Sequence, residues 1–249
     1  MTQNHDKPHE FCVYRADLPS LLDGGAKRYH LDDSELVHRL TRVLRMQAGD
    51  HFTLFNRHVR AACIFVSATR QQVTIDAQEC QQNEIFEPHL TLIIGVLKRE
   101  ALEEVVVHAT QVGVNVLQPV FTSKVQCPWV GRTERDRLER LAIAAASQCK
   151  NFAFPDIRSP ISFDDFAKQT VADQGLKLLC DVDGQPILNI LCESVAQKNV
   201  WVCVGPEGGL TSEECQRLAS VGYQTCRLTR TTLRSVEAAM LMAGIIRCA

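Results

Sequence analysis

The stretch NVWVCVGPEGGLTSEE, residues 199–214, decides the fold. From Val200 to Val204 it is an unbroken apolar run of strand length, the pattern of a strand covered on both faces. Gly205-Pro206-Glu207-Gly208-Gly209 then interrupts it with residues that belong to neither a strand nor a helix interior. Thr211, followed three residues later by Glu214, has the spacing of a capping box and starts a helix. The local order is therefore strand, glycine turn, capped helix, the repeating step of an α/β sheet.

The same alternation appears on working outward. Upstream, LTLIIGVL (90–97) precedes a helical stripe of Leu102, Val105, Val106, Ala109 and Val112, which Gly113 stops before the strand-like VNVLQPVF (114–121). LKLLC (176–180) and TCRLT (225–229) are further short apolar runs, and an alanine-rich helix ends the chain. A mostly parallel α/β sheet is predicted from about residue 86 onward. Before it, Leu36, Val37, Leu40, Val43 and Leu44 predict one amphipathic helix over about 33–45, with Asp32 and Glu35 as its capping box. HFTLF (51–55), AACIFV (61–66) and QVTIDA (72–77) then predict a small barrel or sandwich. The polar QQNEIFEP (81–88) reads as the linker, giving domains 1–85 and 86–249.

The chain has 249 residues, 45% hydrophobic and 22% charged, within the range of ordinary globular proteins. No apolar run is of membrane-spanning length and MTQNHDKPHE is not a signal sequence, so a soluble cytoplasmic protein with no membrane partner is expected. Eleven cysteines in no paired spacing predict neither disulfides nor zinc, but buried reduced thiols. The net charge of -2 excludes a protein coated in positive charge. Nucleic-acid contact must then use local clusters: Arg39, Arg42 and Arg45 at intervals of three; Arg57, His58 and Arg60 around a hairpin turn; and Arg132, Arg135, Arg137 and Arg140 opening a helix.

By itself the GPEGG loop is compatible with a bare turn or with a ligand lying on main chain. It lacks the Lys-Ser/Thr of a phosphate-binding loop, and the capping box already occupies the helix-terminal donors. Downstream, Leu228-Thr229-Arg230-Thr231-Thr232-Leu233-Arg234-Ser235 runs into the terminal helix. Together, V-G-P-E-G-G-L-T-x-E-E, L-x-x-x-x-L-R-[ST] and the earlier Arg42-Val43-Leu44-Arg45-Met46 with Gly49 resemble the 16S ribosomal RNA uridine-N3-methyltransferases, the RsmE family. The resemblance covers essentially the whole chain.

What the resemblance implies is a PUA-like β-barrel before a SPOUT domain with a deep trefoil knot, in a homodimer. The implied reaction is methylation of N3 of a specific uridine of 16S ribosomal RNA in the small ribosomal subunit, with S-adenosyl-L-methionine as donor. Carried over residue by residue, the donor site comprises Leu179 and Cys180; Val204, Gly205, Pro206, Glu207 and Gly208; and Leu228, Thr232, Leu233 and Arg234. Arg234 is the candidate catalytic cation, with Glu207 as loop orienter or proton acceptor, and no metal is implied. Arg42, Arg45, Lys98 and Arg99 are the candidate RNA contacts. The chain departs from the family pattern at 229–231, at Glu237, displaced by one position, and at 147–153, where Ser-Gln-Cys-Lys-Asn-Phe-Ala replaces E-Q-S-G-R-N-R. His38 is also out of step. Two alternatives stay open: a catalytically weak RNA-binding or ribosome-assembly factor, and a SPOUT methyltransferase acting on another RNA.

Overall fold

The computed structural model describes residues 11–129, 131–172, 174–193 and 197–248. The chain divides into two compact units, one of Met1–Glu84 with Ser147–Ala153, the other of Ile85–Ala146 with Phe154–Ala249. The division at 84/85 lies one residue before the expected linker break. Gln81–Gln82 (β6) pairs with a strand of the first unit, and the Asn83 side chain donates to Asn56 O at 2.8 Å, so the front of the polar stretch is anchored.

In the first unit, β1 (Phe11–Tyr14), β2 (Lys27–Asp32), β3 (His51–Phe55), β4 (Val59–Ala68) and β5 (Gln72–Ala77) form a sheet in the order β1-β3-β4-β5-β2, with β6 on β4. Leu18, Leu40, Phe52, Leu54, Val73 and Ile75 fill its core. The helix predicted over 33–45 is shorter than its apolar spacing implies. Asp33, not Asp32, caps α2 (Ser34–His38), accepting from Leu36 N–H at 2.8 Å. A π-helical turn follows over Arg39–Val43. The wider turn buries Leu40 and, beyond it, Met46, but leaves Val43 half exposed. It also breaks the threefold arginine spacing, and Arg45 leaves the helix with φ of +54°.

The second unit holds β7 (His89–Gly95), α3 (Arg99–Val112), β8 (Val116–Phe121), α4 (Gly131–Cys149), β9 (Asp156–Ile157), β10 (Ile161–Ser162) and α5 (Phe163–Gln169). It continues with β11 (Leu176–Pro186), α6 (Ile187–Glu193), β12 (Asn199–Val204), α7 (Ser212–Ser220), β13 (Gln224–Arg227) and α8 (Ser235–Cys248). The order is β10-β8-β7-β12-β11-β13, with β9 on β8, and among the described residues these strands pair in parallel. Both faces are covered, so Leu90, Leu92, Ile94, Leu117, Leu178 and Val202 are fully buried. Gly113 ends α3 with φ of +90°, a conformation glycine adopts without penalty. Thr211 and Glu214 form the predicted capping box on α7.

The cysteines are less uniformly buried than expected. Cys12, Cys63, Cys203 and Cys226 are buried, but Cys149, Cys192 and Cys248 are exposed.

Candidate functional site

In a parallel sheet the loops at the carboxyl ends of neighbouring strands converge, and ligands bind there. In the second unit four such segments enclose a cavity of about 730 Å³: residues 97–104 after β7, 180–182 of β11, 204–210 after β12, and 232–238 before and into α8.

The GPEGG loop is fixed from several sides. Pro206 lies across the end of β7, and a Cβ on Gly95 would come within 2.5 Å of its Cδ, so only glycine lets the loop cross. Pro206 O accepts Gly209 N–H at 2.8 Å, closing the turn, with Gly209 at φ of +68°. Lys98 N–H donates to Glu207 Oε1 at 3.2 Å. Glu214, 4% exposed, accepts Thr211 N–H on one carboxylate oxygen and Ser123 N–H on the other, each at 2.8 Å. Burial pushes this carboxyl's pKa up, but the backbone donors of Thr211 and Ser123 outweigh it and hold it below the ordinary value. Lys124 closes the same contact, its Nζ donating to Leu210 O at 3.0 Å while its Cβ would lie only 3.2 Å from a side chain added at Gly208. The loop after β8 thus clamps the loop after β12 across the end of β7.

Of the residues singled out from the sequence, Cys180, Val204, Gly205, Pro206, Glu207, Gly208, Thr232, Leu233 and Arg234 line the cavity. Leu228 lines a side cleft that also touches Cys180, Cys226 and Leu233. Leu179 lies elsewhere: it is 1% exposed and packs with Phe163, Phe166 and Leu218. Its side chain belongs to that core cluster, while the three residues that follow it in β11, Cys180, Asp181 and Val182, line the cavity. Glu100, Glu104 and Asp181 also line it and were not singled out. With Glu207 they make four carboxylates against Lys98 and Arg234, a lining suited to a cationic ligand. The Cys180 thiol is held protonated by its interaction with Cys226 and by burial, which makes it a wall and not a nucleophile.

Arg234 is largely exposed and pairs with Glu237, whose carboxyl it holds below the usual range. Lys98 stands at the cavity rim. Arg99 is exposed and 3.5 Å from Glu103. Arg137 is not part of an exposed basic row, because it bridges Glu103 of α3 and Glu134 of α4. In the first unit, Arg42 lines a cleft with His38 and Arg70, and Arg45 is exposed. Among the described residues no helix is long and apolar enough to cross a membrane.

Residues 86–247 match the family model of an RNA methyltransferase domain, and residues 31–78 that of an RNA methyltransferase PUA domain. The chain is similar to the ribosomal RNA small subunit methyltransferase E of Synechocystis sp., with 29% identity over 81% of this chain and 67% of that one. To the protein of the same name from Rickettsia conorii it is 26% identical, over 85% and 86% of the two chains. Among solved structures, ribosomal RNA small subunit methyltransferase E from Neisseria gonorrhoeae, bound to S-adenosyl methionine, superposes with a TM-score of 0.79 at 20% identity. That match covers 96% of this chain and 98% of the other. A methyltransferase from Legionella pneumophila in complex with the same compound gives 0.79 at 21% identity, over 97% and 98% of the two chains. At these identities the superpositions establish the shared α/β fold.

Proposed function

The chain belongs to the RNA methyltransferase family, and on that premise we propose that it methylates N3 of a specific uridine of 16S ribosomal RNA in the small ribosomal subunit, using S-adenosyl-L-methionine. The observation that carries the reading is the cavity of about 730 Å³ in which the GPEGG loop, Cys180 and the Thr232–Arg234 segment meet. Its residues fit the donor in three respects. The volume suits a nucleoside with an amino-acid tail. The loop presents main chain, with no room for a Cβ on Gly95 beside Pro206. Four carboxylates suit a ligand carrying a sulfonium and an ammonium.

The donor supplies an electrophilic methyl group; the protein's residues orient, stabilise and exclude water. Val204 and Leu233 offer apolar cover for an adenine, whose edge the loop's backbone groups can read. Uracil N3 gives up its proton, for which the Glu207 carboxylate lining the cavity is the proposed acceptor; negative charge then lies on N3, O2 and O4 until N3 takes the methyl group and S-adenosylhomocysteine leaves. Arg234 is the cation proposed for that charge, a role for which it must exchange Glu237 for the substrate. Glu207, held through Lys98 N–H, orients the loop. Lys98, Arg99, Arg42 and Arg45 are proposed to hold the RNA backbone, with residues 1–85 as the RNA-binding domain and 86–249 as the catalytic one. The exposed Leu188 of α6 and Leu241 of α8 favour a homodimer, and an RNA substrate of this kind favours the cytoplasm. The placement of β12 between β7 and β11 favours the trefoil knot.

The test is to incubate the protein with labelled donor and small subunits from a strain lacking the gene, and to map the modified nucleoside by mass. 3-Methyluridine at one site of 16S RNA is the expected product. Donor binding with methylation of a different RNA would move the reading to another substrate; no binding by calorimetry would leave an RNA-binding factor.

A further inference from the structure

The first unit contains a polar cavity that the proposed reaction does not use. It has a volume of about 320 Å³ and includes Arg60 of β4, Gln78 and Glu79 beyond β5, Gln81 of β6, and Lys150 and Phe152 of the returning segment. This segment is also where the sequence departs from the family pattern.

Arg60 is half-buried, and its guanidinium lies 5.9 Å from the Phe152 ring centroid. Phe152 is 6% exposed and packs on Phe55 at 4.6 Å between centroids, so the guanidinium rests on a rigid aromatic floor. Among the described residues Arg60 has no carboxylate in ion-pair contact. A planar cation held over an aromatic ring, lining a cavity and without an ion-pair partner, is arranged to receive an external anion. Lys150 adds a second cation. It holds φ of +61° at the end of α4, where glycine is the unstrained choice, so the chain keeps a long charged side chain at a position that disfavours one. Gln78 and Gln81 are exposed, and each amide can both donate and accept. Glu79, the one acid in the cavity, can accept only, which suits the exocyclic amine of a base.

We propose that this cavity holds one unpaired ribonucleotide of the RNA substrate, with its phosphate on Arg60 and Lys150, its base on the open face of the Arg60 guanidinium, and the base edge on Gln78, Gln81 and Glu79. The inference rests on the RNA methyltransferase reading and gives the first unit a defined contact. The cavity is too small for a duplex and is of a size for a single splayed nucleotide. Recognition of unstacked bases by stacking and edge contacts is the usual mode for single-stranded RNA. An exocyclic amine opposite Glu79 predicts preference for adenine or cytosine over uracil.

The test uses the full chain and fluorescence anisotropy with labelled oligo(A), oligo(C) and oligo(U), titrated across salt concentrations. Arg60→Ala and Lys150→Ala are each expected to weaken oligo(A) binding by about tenfold. Each should also lower the magnitude of the log–log salt slope by about 0.7, the contribution of one phosphate contact on a single strand. Arg60→Lys separates plane from charge: it should keep the salt slope and still lose affinity. Unchanged affinity and slope in both alanine variants, with melting temperatures like the wild type, would overturn the proposal. Because anisotropy is read without a methyl donor, failure of the wild type to bind donor counts against the enzymatic reading and not against this one.

Discussion

Glu214→Gln is the sharpest test of how the glycine loop is held. The carboxylate is 4% exposed and accepts two backbone N–H groups at 2.8 Å, from Thr211 and from Ser123. A hydrogen bond to a charged group contributes about 1.5–3 kcal/mol, and a buried donor left unpaired costs about 1–3 kcal/mol. Glutamine keeps one acceptor and turns an NH₂ toward the second N–H, so one bond is lost and two donors oppose each other. A destabilisation of about 2–4 kcal/mol follows. At about 2–4 °C per kcal/mol for a chain of this size, the melting temperature should fall by roughly 5–15 °C. The pH dependence carries a definite sign. Glu214's folded pKa lies below its ordinary value of 4.5, so its contribution is complete above that pH and is lost only as pH falls through the lower folded value. The gap between wild type and variant should therefore be constant from pH 8 to 5 and narrow below about 4.5. Thermal unfolding followed by circular dichroism, with and without S-adenosylmethionine, reads both quantities. A variant melting within 1 °C of wild type at pH 7 would refute the account of the clamp.

Gly95→Ala places a methyl group 2.5 Å from Pro206 Cδ and 2.6 Å from its nitrogen, so the loop must shift. Overpacking of this kind costs about 1–3 kcal/mol; if the strain falls on the binding-competent loop, donor affinity drops by roughly five- to 150-fold in calorimetry, and an unchanged Kd would show that the crossing does not govern binding. Arg234→Ala removes an exposed side chain, so donor affinity should stay within a few-fold while kcat falls by about 10²–10³, as for loss of one stabilising donor. Undiminished turnover would take Arg234 out of the reaction.

What was legible in the sequence was whatever local chemistry determines. Gly113 as a helix stop and Thr211 with Glu214 as a cap need only neighbours within a few residues, and both stand as read. The helix over 33–45 was misread because tertiary burial of Leu40 and Met46 widens its second half into a π turn, against the periodicity of Val43. That the Leu179 side chain packs in the core while Cys180, Asp181 and Val182 line the cavity is not visible in the sequence, because a strand buried on both faces has no polar alternation to mark the change. The Ser123 contact of Glu214 spans 91 residues, and no spacing rule reaches that far.

These misses share a cause that bears on the site itself. Glu214 appears as a capping residue at sequence level, and it is one; the same carboxylate also holds the loop that follows another strand. A residue with a sufficient local explanation hides its long-range role. Gly95 is the complementary case, since at the end of an apolar strand it reads only as punctuation, although it is where Pro206 crosses. The donor site proposed here is therefore held by two residues that local reading would count as ordinary. Changes at Gly95 or Glu214 should impair donor binding without touching a residue that meets the RNA.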